Sequence, residues 1–154
     1  MTADVLLPVL GVLTILLPAL AWRAGRLKRP GLLWICEFVS IAMVYCVRYA
    51  NNLMSDSQPP IMLFLTAYGT NQKPGVWTAL HGHYSTHTAV AISFGVTLVA
   101  SRISMLPAVA AMVGCYLWLI TYLPYHAPVD ALSTVAVILP LSLLCHLPWW
   151  RRAG

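Results

Sequence analysis

Acidic side chains are scarce in this chain. Its 154 residues hold four Asp or Glu (Asp4, Glu37, Asp56, Asp130) against nine Lys or Arg, and charged residues make up only 8%. A soluble domain of this length needs far more charge to face water, so that class is excluded. Cysteine occurs four times (Cys36, Cys46, Cys115, Cys145), each time inside an apolar run and never with CxxC or metal-finger spacing. That excludes a disulfide framework, and the four are expected to be small core residues. Met1-Thr2-Ala3-Asp4 lacks the positive start of a secretory signal, so no cleavable leader is expected. The net charge of +5 is not arranged as a basic groove, which argues against nucleic acid as a partner. No internal repeat or low-complexity segment occurs.

What is abundant is apolar sequence: 60% of residues are hydrophobic and the mean hydropathy is +0.78. The expected fold class is therefore all-α, a polytopic integral membrane helical bundle forming a single transmembrane domain over residues 1–154. At roughly 20 residues per crossing there is room for about five transmembrane helices. The apolar runs place them near 5–22, 31–49, 85–100, 106–122 and 129–147, with an outer loop over 50–84. Within that loop the apolar piece Ile61 to Tyr68 is too short to cross and is expected to be re-entrant or interfacial. Trp22, Trp149 and Trp150 sit at span ends, where indole rings favour the headgroup region. Arg23, Arg26, Lys28 and Arg29 fill the first connector, Arg102 a later one, and Arg151 and Arg152 the C-terminus. With five spans these all fall on one side, which should be cytoplasmic, leaving the N-terminus outside.

Against that background two short polar stretches stand out: His81-Gly82-His83-Tyr84-Ser85-Thr86-His87-Thr88 and Tyr125-His126-Ala127-Pro128-Val129-Asp130. Together they hold four of the five histidines and one of the four acids. Ionisable groups at a bilayer edge are costly and are usually kept for a task. Ser85 or Thr86 suits a helix N-cap and Pro128 the first turn of the last helix, so each stretch marks a helix N-terminus. Such ends offer unpaired N–H groups and partial positive charge, which suits a phosphate. His126 and Asp130 are four apart, a spacing that returns a carboxylate to an imidazole if the first turn is helical. Held at one ring nitrogen, His126 could attack through the other, and His87 from a different helix could protonate a leaving oxygen.

These residues resemble the type 2 phosphatidic acid phosphatase superfamily, which carries PSGH in one outer-face motif and SRxxxxxHxxxD in another. Tyr84-Ser85-Thr86-His87 aligns with the first, and His126 through Asp130 with HxxxD. The sphingomyelin synthase branch, with SGHT and HYxxD, looks closer, since Ser85-Thr86-His87-Thr88 differs from SGHT at one position. Arg48 is also placed like an arginine that recurs before that branch's first motif. The chain departs from the superfamily in lacking KxxxxxxRP, in having Ile120 at the second motif's arginine position, and in having Thr86 for glycine. The resemblance implies His126 as nucleophile forming a phosphohistidine, Asp130 orienting it and His87 serving the leaving group. Arg48 and Lys73 are the positive side chains left on the outer face, and Arg48 is expected to clamp phosphate. Ser85, Thr86, Lys73 and His83 complete the expected substrate-binding set.

The implied activity is a membrane lipid phosphatase or phosphotransferase acting on a lipid phosphate or phospholipid at the extracytoplasmic (periplasmic, extracellular or luminal) face. It needs no metal or other cofactor, and membrane lipids surround it; a homo-oligomer is open. Competing readings are a sphingomyelin-synthase-like headgroup transferase, a zinc-dependent membrane hydrolase using His83 and His87, and a non-catalytic transporter. Bland roles stand beside the sharp ones: His81 and His83 as a solvated loop pair, Arg48 snorkelling to headgroups, His126 simply bonded to a capping Asp130. His146 is expected to be interfacial. Glu37, mid-span, should be neutral or partnered by a neighbouring helix.

Overall fold

The computed structural model describes residues 3–53, 84–122 and 128–153, and every regular element among them is helical. The helices are α1 (Ala3–Arg23), α2 (Pro30–Leu53), α3 (Thr86–Ser101), α4 (Leu106–Tyr122) and α5 (Pro128–Ala153), with a 3₁₀ turn at Ile103–Met105 before α4. Three stretches are long and apolar enough to cross a membrane: Val5–Arg23, Pro30–Ala50 and Pro128–Arg152. The other two helices, α3 and α4, are apolar but shorter, at 16 and 17 residues. The segment Ile61 to Tyr68 lies outside the described residues.

Helix ends follow local chemistry. Gly25, at φ 69°, closes α1: its N–H donates to the Trp22 carbonyl at 2.9 Å and the Arg26 N–H to that of Ala21 at 2.8 Å. That bond pair is the Schellman stop, and it favours glycine because a side chain is strained at that φ. Pro30 then begins α2, at the one helical position where a missing N–H costs nothing. The last helix runs six residues past the expected end at 147, through Pro148 to Ala153. Trp149, Trp150, Arg151 and Arg152 therefore lie on the helix itself rather than beyond it.

The bundle is organised around α3, which packs against each of the other four helices. The distribution of polarity is inverted relative to a water-soluble protein. Phe38 (76% exposed), Leu132 (69%) and Trp118 (59%) face outward. Ser40, Ser93, Thr97, Thr134, Ser142 and His146 are fully buried. Apolar side chains cost nothing on a lipid-facing exterior, and interior hydroxyls bond between helices, as membrane bundles require. Small residues let the helices approach: a Cβ added at Gly95 of α3 would meet Val113 of α4 at 3.2 Å.

Three expectations are corrected by this packing. Cys46 and Cys115 are exposed on the outside of the bundle, while Cys36 is in the core and Cys145 half-buried. Trp149 is 4% exposed and its indole N–H donates to the Ala100 carbonyl at 3.0 Å, so it packs inside rather than floating at the headgroups. His146, expected to be interfacial, is fully enclosed within the bundle, between Thr97 of α3 and the Ser142 carbonyl.

Candidate active site

The first polar stretch builds the N-terminus of α3. Ser85, extended at φ −93° and ψ 100°, is the N-cap. Its hydroxyl oxygen accepts from the Thr88 N–H at 3.2 Å and from the Thr88 hydroxyl at 2.9 Å, satisfying an end donor that the helix cannot satisfy itself. The Ser85 N–H donates to the Thr134 hydroxyl at 3.1 Å. Thr134 stands one turn after Asp130 on the same side of α5, so this bond ties the start of α3 to the start of α5. Asp130 itself is 4% exposed in the first turn of α5. Thr86 is half-buried and His87 exposed, both in the first turn of α3.

The residue before the cap draws in a third helix. The Tyr84 hydroxyl donates to the Val44 carbonyl of α2 at 2.9 Å, and Arg48, half-buried, follows Val44 by one turn. Burial raises the Tyr84 phenol well above its ordinary value, with the nearby Arg48 cation pulling the other way. One end of the bundle thus gathers Arg48 from α2, the Ser85–Thr88 cap from α3 and Asp130 from α5. His126, Lys73, His81 and His83 lie outside the described residues, and so does the pairing of His126 with Asp130. Pro128 begins α5 as expected, two residues beyond His126.

A second polar layer lies deeper, and sequence reasoning missed it as a unit. Glu37 of α2 receives the Ser93 hydroxyl at 3.2 and 3.3 Å on its two oxygens, and bonds Thr97, also of α3. Thr97 in turn meets His146 Nε2 at 2.7 Å, and His146 Nδ1 lies 2.8 Å from the Ser142 carbonyl one turn back on α5. Ser93 is 2.7 Å from Ser40, and Ser40 is 2.8 Å from Ser142. Glu37 is therefore partnered across helices, as expected. The available signal was the spacing: Ser93 and Thr97, and Ser142 and His146, each repeat at four, and Glu37 and Ser40 at three.

Between the layers each of the three helices contributes an apolar residue on the same ladder. Val44, Ala89 and Ile138 are all fully buried and belong to one core cluster. They separate Arg48 from Ser40, Ser85 from Ser93 and Thr134 from Ser142. At the far end of the molecule Arg26, Lys28, Arg29 and Arg152 line a basin of about 970 Å³ open to solvent, floored by Leu27, Leu32 and Trp149. Comparison with protein-family models, with curated proteins and with solved structures finds no match for this chain.

Proposed function

We propose that the chain is a membrane-embedded lipid phosphatase or phosphotransferase whose site lies at the α3/α5 N-termini. The bond from the Ser85 N–H to Thr134 at 3.1 Å supports this reading most, because it ties the first polar stretch to α5 one turn beyond Asp130, where the second stretch ends. In this reading five helices cross the membrane, with the basic connector and C-terminus cytoplasmic and the site on the opposite face.

The reaction runs in two halves. His126 attacks the phosphorus of a lipid phosphate, an N–P bond forms and the bond to the lipid oxygen breaks. His87 gives its proton to that oxygen, and Asp130 holds the His126 ring by its other nitrogen. Water, or a lipid hydroxyl, then attacks the phosphohistidine and returns its proton to His87. Arg48 and the partial positive charge of the helix start balance the phosphoryl charge. Release of phosphate from a panel of lipid phosphates and phosphodiesters, with and without EDTA and with acceptor lipids, tests this. Wild type should act in both conditions and His126→Ala in neither. Silence with every substrate, or activity abolished by EDTA, overturns the reading.

A further inference from the structure

The buried layer of Glu37, Thr97 and His146 plays no part in the reaction above, and its hydrogen bonds count protons. His146 Nδ1 faces a backbone carbonyl, which only accepts, so Nδ1 carries a hydrogen. In a neutral ring Nε2 is then an acceptor, and the Thr97 hydroxyl 2.7 Å away must donate to it. The Thr97 oxygen is left as acceptor toward Glu37, and that contact is satisfied only if the Glu37 carboxyl carries a proton. The alternative arrangement is equally complete: imidazolium donating from Nε2 to Thr97, and Thr97 donating to a Glu37 carboxylate. Both hold one proton beyond the carboxylate and neutral imidazole. With none, the single Thr97 hydrogen must leave one of its two acceptors facing a lone pair. With two, a net positive charge is buried.

We propose that Glu37 and His146 form an intramembrane binding site for one exchangeable proton, bridged by the Thr97 hydroxyl. Transfer breaks the Glu37 O–H bond and forms one to Thr97 Oγ1 while the proton already on Thr97 passes to His146 Nε2. The direct Glu37–His146 separation of 3.9 Å is too long for a hydrogen bond, so the hydroxyl is the route. A metal cation is a poorer occupant. Hard cations collect six or so oxygens around a centre, whereas these oxygens already touch one another pairwise. The titratable groups beside the site are Cys36 on α2 and Cys145 on α5. The described side chains of α3 near it are hydroxyls, and the one charged group among the described side chains of α1 is Arg23, at its end. The basin cations Arg26, Lys28, Arg29 and Arg152 lie beyond the apolar cluster of Leu27, Leu33 and Trp149.

The test is to titrate the purified full chain in lipid nanodiscs, following the carboxyl C=O stretch by infrared difference spectroscopy and the His146 ring nitrogens by ¹⁵N NMR. At neutral pH wild type should show either a protonated carboxyl with an Nδ1–H imidazole or a carboxylate with an imidazolium, and on raising the pH one proton should leave, changing the carboxyl band in the first case and the Nε2 signal in the second. Glu37→Gln assigns the carboxyl band by its loss. Thr97→Ser should keep this one-proton transition in place and Thr97→Val, which removes the bridging hydroxyl, should shift its midpoint. A carboxylate beside a neutral imidazole at neutral pH in wild type overturns the proposal without recourse to any variant. So does a one-proton transition whose midpoint Thr97→Val leaves unchanged.

Discussion

The two polar layers of this bundle are built from the same three helices and much the same residue types, yet they are finished differently. The layer holding Ser85, Asp130 and Arg48 sits where helices begin, so it has N–H groups not used within a helix and a histidine, His87, exposed beside it. The layer holding Glu37, Thr97 and His146 sits mid-helix, away from the unpaired N–H groups of a helix start, and its side chains bond one another and the Ser142 carbonyl. Polarity inside a membrane bundle therefore has two uses: open at a helix terminus it can receive a substrate, and closed in mid-helix it can hold only something as small as a proton.

The comparison breaks first if the outer layer is not the reacting one. His87→Ala and Asp130→Asn should each lower phosphate release by on the order of 10²- to 10⁴-fold, with the melting temperature little changed. Equal loss from Glu37→Gln would place the chemistry in the wrong layer. The converse substitution, Glu37→Leu, strips the buried hydroxyls of Ser93 and Thr97 of their acceptor and should cost about 1–3 kcal/mol of stability. Unfolding in mild detergent measures that, and an unchanged midpoint would mean that the inner network contributes nothing to holding α2, α3 and α5 together. Ser85→Ala removes a cap and leaves the Thr88 N–H without its acceptor, for about 1 kcal/mol. It should lower stability and activity together, since the cap shapes the site.

The smallest effect belongs to Tyr84. Its phenol ionises above the ordinary value of 10.0 because it is buried, so the protonated form is the one the fold favours. The stabilisation it gives is whole below the unfolded phenol's value and is lost as pH rises from there through the raised folded value. Tyr84→Phe should cost about 1 kcal/mol and should flatten the alkaline decline in stability, which a melting series across alkaline pH records. A decline of the same steepness in the variant would assign it to another group.

The helices were largely legible because apolar runs and their breakers are local signals. The starts of α2, α3 and α5 at Pro30, Thr86 and Pro128 each fell within a residue of expectation. The end of α5 was missed because Trp149-Trp150-Arg151-Arg152 reads as a stretch that follows the span, whereas the helix continues through Pro148 and Trp149 packs against Ala100. At the outer site Ser85 was legible as a cap. Its bond to Thr134 was not, because nothing in either sequence segment states how two helices are rotated toward each other. The inner layer was hidden for a related reason. Glu37 and His146 are 109 positions apart, and each looks like an isolated anomaly until Thr97 of a third helix is seen between them.

The central position of α3 has a consequence for how the protein is made. At 16 residues it extends about 24 Å, short of the roughly 30 Å hydrocarbon core, and it brings Ser93 and Thr97 into the interior. Glu37 emerges from the ribosome before it and His146 well after it, on the last of the five described helices. Until α5 is made, α3 can settle only against α1, α2 and α4, with Thr97 resting on Glu37 alone. The network that joins all three helices closes when α5 inserts, so the final helix acts as the latch of assembly, and a chain truncated before Ser142 would leave its central helix poorly anchored in the bilayer.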